Sequence, residues 1–194
     1  MKDLFWKLEK LGRIRLSQHF YMRQFLYSEI GVAYGIANVP DDPDLAIETG
    51  TQLCEKILEP LVKQFGTLVV RSGFRSARLN DFGARNGLKC ASNEKNFAYH
   101  IWDHRDAAGH KGAAACVVIP SFNDATPEPD GWKQLARYIH ENLPSYHRLT
   151  FFSLDNAFNI GWHEKPRREI YSRIPKPHWF LRETPPRAPT MFRA

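Results

Sequence analysis

The segment YHIWDHRDAAGHKGAAACVV, Tyr99 to Val118, sets three histidines (His100, His104, His110) and two aspartates (Asp103, Asp106) ahead of a small, apolar run. Imidazole and carboxylate are ligands of catalytic divalent metals, which turn bound water into a nucleophile when one coordination position stays open. His100 and His104 are four apart and would share a helix face, with Asp103, Asp106 and His110 within reach. No glutamate completes an H-E-x-x-H motif, however, and Ala107-Ala108-Gly109 reads as a loop. Solvated, hydrogen-bonding histidines on that loop are the alternative. The HRD triplet is not a kinase catalytic loop, since no glycine-rich loop or DFG accompanies it. Tyr99-His100-Ile101-Trp102 and Gly161-Trp162-His163 combine aromatic and imidazole groups that could line a sugar or peptide groove, or simply pack sheet and loops. No serine or cysteine sits in a recognisable nucleophile motif, and there is no phosphate-binding glycine loop.

Positioning such groups requires a scaffold, and 194 residues with 43% apolar content suffice for one filled core. No apolar run approaches the roughly 20 residues that cross a bilayer, and MKDLFWKLEKLGR threads charges through its hydrophobic positions, unlike a signal peptide. Cys54, Cys90 and Cys116 are an odd number at no metal-knuckle spacing, which favours a reducing, cytoplasmic setting. The formal charge of +6 comes from residues spread along the chain, with clusters at Arg71 to Arg78, Lys165 to Arg168 and the tail. An ordinary solvated surface accounts for it better than nucleic acid does.

Leu4, Leu8 and Leu11 share a helical face, and a second helical stretch near Tyr21 to Ser28 follows Ser17 as a cap. Asp42 is placed to cap a helix that starts at Pro43. Leu53, Ile57, Leu61 and Phe65 carry it onward, Pro60 kinks or splits it, and Gly66 stops it. TLVVRSG and AAACVVIP read as buried strands, Asp130 as the cap of a helix bearing Trp132, Leu135 and Ile139, and RLTFFSL, FNIGW and REIYSRI as further strands. The order predicts α+β with a mainly antiparallel sheet, one domain over residues 1–174, and an extended Pro-rich tail from Pro175.

Ser72-Gly73-Phe74-Arg75-Ser76, after a strand and shortly before Asn80, resembles the SGYRS..N signature of zinc-dependent D-alanyl-D-alanine carboxypeptidases, whose fold is shared with the hedgehog signalling domain. LSQHFYMRQFLYS, LEPLVKQFG and FNIGW follow the order of that family, so the resemblance covers roughly residues 16 to 172. It implies a hedgehog/DD-peptidase-like fold, a cleft for cell-wall peptides and a zinc-bound water. Ser72, Arg75, Asn80, Tyr99 and Trp102 become substrate-binding candidates. A planar guanidinium such as that of Arg75 grips a carboxylate bidentately.

The ligand pattern departs from the family. Gly112 and Ala114 fit its glycine and alanine, but its aspartate position falls on Cys116 and its histidine position on Gly109. A His100, Cys116 and His163 set is the possible substitute, with Glu164 or Glu169 relaying protons. Loss of a metal ligand abolishes this chemistry, so the favoured reading is a divergent, non-catalytic relative that needs no cofactor and binds peptidoglycan peptides or a protein partner. A zinc-dependent peptidase acting on cell-wall peptide bonds is the alternative.

Overall fold

Six strands form one sheet in the order β1-β2-β4-β3-β5-β6: β1 (Val69–Ser72), β2 (Gly112–Val118), β3 (Tyr146–Phe151), β4 (Phe158–His163), β5 (Glu169–Ser172) and β6 (His178–Leu181). All neighbours are antiparallel except β3 and β5. The computed structural model describes residues 2–126, 130–153 and 156–182. The chain is thus α+β with a mainly antiparallel sheet, as its pattern predicts. No helix among the described residues is long and apolar enough to cross a membrane.

Side chains alternate across a strand, and this gives the sheet two different faces. Ala113, Ala115 and Val117 of β2, Leu149 and Phe151 of β3, and Phe158 and Ile160 of β4 are fully buried in the core. The helices are α1 (Lys2–Gly12), α2 (Glu29–Tyr34), α3 (Pro43–Leu53), α4 (Glu59–Phe65), α5 (Ala77–Arg85), α6 (Asn93–Asn96), α7 (Pro120–Ala125) and α8 (Gly131–Asn142). Of these, α3, α4 and α8 pack against the core face of the sheet and bring Leu53, Leu61, Trp132, Leu135 and Ile139. The opposite face carries Cys116, Asn159 and Thr150, and it stays open.

Several sequence signals act as expected. Asp42 accepts the Leu45 N–H at 3.0 Å and Pro43 opens α3. Pro60 splits the long helix: a wide π turn, Cys54–Leu58, precedes it, and the Glu59 N–H bonds back to Cys54 O. The turn absorbs the backbone donor that proline lacks. Gly66 ends α4 at φ 82°, a conformation that glycine adopts without strain.

Three local expectations change. The stretch near Tyr21 to Ser28 holds only a 3-10 turn, Met22–Phe25, and Ser17 caps nothing; its hydroxyl donates to Glu59 Oε1 at 2.6 Å. Asp130 stands at the start of α8, but its carboxylate takes Lys133 Nζ at 2.8 Å instead of a backbone N–H. His178–Leu181, within the stretch expected as a tail, adds β6 to the sheet, while 183–194 lie outside the described residues.

Candidate functional site

The open face of the sheet forms the floor of a cleft of about 1040 Å³. Its roof is the connection from β1 to β2, which contains α5 (Ala77–Arg85) and α6 (Asn93–Asn96). Beyond the end of β1 this connection takes the missing strand's place along β2: Ala114 N donates to Tyr99 O at 2.7 Å, and Trp102 Nε1 donates to Ala114 O at 3.0 Å.

The SGFRS turn is pinned from two sides. Asn38 donates to Phe74 O at 2.9 Å and accepts Ser76 N at 2.8 Å. From the other side, Arg75 N donates to His100 O at 2.8 Å, and His100 Nδ1 lies 3.1 Å from Gly73 O. Gly73 serves close packing, since a Cβ there would stand 2.7 Å from the Phe25 ring. Arg75 Nη1 then bonds Asn80 Oδ1 at 3.2 Å and Cys90 Sγ at 3.1 Å. Asn80 is completely buried and is itself held by Ala91 O, Asn93 and Asn96. It therefore positions Arg75 and does not line the cleft, in contrast to its expected place as a substrate contact.

His100 faces Asn159, with Nε2 3.2 Å from the Asn159 amide nitrogen. With Nδ1–H donating to Gly73 O and Nε2 accepting from Asn159, the ring is neutral; burial, and secondarily the charge of Arg75, push its pKa down to about 4. Asn159 pairs in register with Cys116, and Cys116 with Ser72. His100, Cys116, Ser72 and Arg75 thus gather at one end of the cleft, which all four line. Burial, partly offset by Arg71, pushes the Cys116 thiol up to about 11, so on its own it is a protonated thiol.

His163 stands four residues along β4 from Asn159, about 13 Å at strand rise. That span cannot be closed by one zinc ion with ligands near 2 Å. The ring belongs to a second group: Nε2 meets Asp106 Oδ2 at 3.2 Å, the ring stacks on His147 with centroids 4.5 Å apart, and His110 lies 5.7 Å away. Burial, then His163, Arg148 and Arg167, push the His147 pKa down to about 3. Asp106 stays below its ordinary value despite its burial, because the Ala108 and His110 backbone N–H groups and the neighbouring histidines favour its anion.

Between the two ends lies the Tyr99 ring, directly over Gly161, where a Cβ would stand 3.0 Å from it. The Arg148 guanidinium sits 5.4 Å from its centre. The Tyr99 hydroxyl is buried beside Thr150 and Asn159, and the buried Arg148 Nε lies 4.0 Å from Glu169 Oε2.

The remaining candidates lie elsewhere. Trp102 is fully buried in the core against Phe25 and Phe74. Glu164 accepts Lys111 N at 2.7 Å and lines a separate depression, while Glu169 is buried between Arg148 at 4.0 Å and Arg182 at 3.8 Å. Neither lines the cleft. The histidine-rich segment is not a helix, and His104 turns from His100 to stack on Phe97 at 4.8 Å. Its neighbour Asp103 accepts Asp41 N at 2.7 Å and so secures the loop before α3.

The sequence reading missed the cleft's charge. Arg71, Arg75, Arg148, Arg167 and Arg173 line it with Lys89 and Lys95, against only Glu29, Glu94 and Asp106. Of these seven cations, only Arg148 has a carboxylate within 4.0 Å among the described residues. Two basic clusters far apart in the chain, around Arg71 and Lys165, converge here.

No family model, curated protein or solved structure matches the chain. Among the described residues, no group of three or more His, Cys, Asp and Glu side chains is arranged to hold a metal ion. The Arg75 end brings together two such donors, His100, already bonded to Asn159, and Cys116, one fewer than the three protein ligands that a catalytic zinc takes.

Proposed function

We propose that this chain is a divergent relative of the D-alanyl-D-alanine carboxypeptidases, with a hedgehog/DD-peptidase-like fold, that binds carboxylate-bearing peptidoglycan peptides without cleaving them. The observation that carries this reading is Arg75. Its guanidinium is held at the cleft by Asn80 and Cys90 and makes no ion pair among the described residues. A fixed, unpaired guanidinium is organised in advance for a planar anion, so little ordering is left for binding to supply.

The groups beside it support recognition over hydrolysis. Neutral His100 adds no charge, Asn159 offers an amide, and Cys116 is a protonated thiol where the resembled family carries a metal-binding aspartate. Neither carboxylate expected to relay protons reaches the cleft.

The test is calorimetric titration of the full chain with a D-Ala-D-Ala-terminated pentapeptide, alongside an assay for released D-alanine with and without added zinc. Saturable binding is expected, lost on amidation of the peptide terminus and weakened about tenfold or more by Arg75→Ala, with no alanine released. Chelator-sensitive release would establish a zinc peptidase instead.

A further inference from the structure

The cleft is longer and more cationic than one terminal carboxylate requires. Thr150 and Asn159 pair at its Arg75 end, and the stacked rings of His147, three residues away along β3, and His163, four residues away along β4, stand at its other end. The two ends thus lie about 10 to 13 Å apart along the strands. Beyond the Tyr99 ring, Arg148 and Arg167 line the second part. Arg167 is exposed, and its backbone N–H, at 3.2 Å from His147 Nδ1, fixes where its side chain departs. No carboxylate lies within 4.0 Å of its guanidinium among the described residues. The carboxylates nearby are committed: Asp106 to His163 and His110, Glu169 to Arg148 and Arg182.

We propose that the ligand is doubly anionic: an acidic peptide whose terminal carboxylate meets Arg75 and whose second carboxylate, about two to four residues away, meets Arg148 and Arg167. This rests on the reading of the cleft as a carboxylate-peptide site and adds its second subsite. Extended peptide advances about 3.3 Å per residue, so a side chain three residues before the terminus reaches past Tyr99. An arginine pair recognises the planar carboxylate there as Arg75 does at the first position. The buried Tyr99 hydroxyl, beside Thr150 and Asn159, and Arg148 Nε, 4.0 Å from Glu169 Oε2, stand between the two subsites.

The decisive measurement titrates the full chain with the peptide Glu-Ala-D-Ala-D-Ala and with Gln-Ala-D-Ala-D-Ala. The glutamate peptide is expected to bind about tenfold more tightly. The advantage disappears in Arg167→Ala, a change at an exposed position that leaves the core intact, and in Arg148→Gln, while Arg75→Ala weakens both peptides alike. Equal affinities for the two peptides in the wild type overturn the second subsite but leave the carboxylate site standing. No binding of either peptide removes both readings. A single-stranded oligonucleotide that displaces the glutamate peptide, with affinity falling steeply with salt, assigns the cleft to a phosphodiester chain and overturns the proposal as well.

Discussion

The two ends of the cleft use the same residue types in different ways. At the Arg75 end, His100 is tied to a main-chain carbonyl and an asparagine amide, and no carboxylate touches it. At the His147 end, Asp106 holds His163 and His110, and two imidazole rings stack. The first end is organised by amides and holds its cation unpaired, ready for an incoming anion. The second has its own internal acid, so only the outlying arginines remain for a ligand. An inventory of histidines and aspartates therefore says little until each imidazole's partner is known.

Acidification is the strongest way to break both ends. Burial first, with nearby cations second, holds His147 at about 3 and His100 at about 4, against about 6.5 in the unfolded chain. Both are neutral when folded, so the stability they contribute is complete above about pH 6.5 and is lost as pH falls toward the folded values. Each adds a slope of up to about 1.4 kcal/mol per pH unit. Urea denaturation between about pH 7 and 4 reads this slope, and His147→Gln and His100→Gln each reduce it. A flat profile in the wild type would contradict the burial of both rings.

Asn80→Leu separates the ends next. It leaves Arg75, Asn93 and Asn96 without a shared partner in a buried place, and should cost about 2–3 kcal/mol with loss of the carboxylate site. The imidazole signals of His147 and His163 in NMR spectra should stay in place. If they move as far as His100, the two ends are one cooperative unit.

Gly161→Ala tests the divider. Its new methyl group presses on the Tyr99 ring and should cost about 1 kcal/mol, with chemical-shift changes at both ends at once. The smallest effect belongs to Glu164→Gln, which removes an exposed pairing with Lys111 and should alter stability by less than about 0.5 kcal/mol and peptide affinity not at all. A change in affinity would return Glu164 to the site.

Much of the scaffold was legible in the sequence because its signals are local. Asp42, Pro43 and Gly66 mark helix ends through backbone chemistry alone, and GAAACVV and FNIGW pair in the sheet as buried strands. The motif order suggested His100 and Cys116 near Arg75, but in one set with His163, which the structure holds apart. What escaped depends on distant pairing. Register alone sets Cys116 opposite Asn159 and leaves His163 opposite Gly112, and amides such as Asn38, Asn93 and Asn96 carry no periodic signature. β6 was hidden between prolines, which mask strand propensity. One clue to the cationic floor was available: in YHRLTF, Leu149 and Phe151 alternate with Arg148 and Thr150, which predicts a face shared by those two polar residues.

The two-sided hold on the SGFRS turn has a consequence for how this scaffold can change. Asn38 and His100 grip main-chain atoms of the turn, and neither grip runs through the side chain at Cys116, although Asn159 orients His100. The floor position at Cys116 can therefore be exchanged while the guanidinium of Arg75, held by Asn80 and Cys90, keeps its aim.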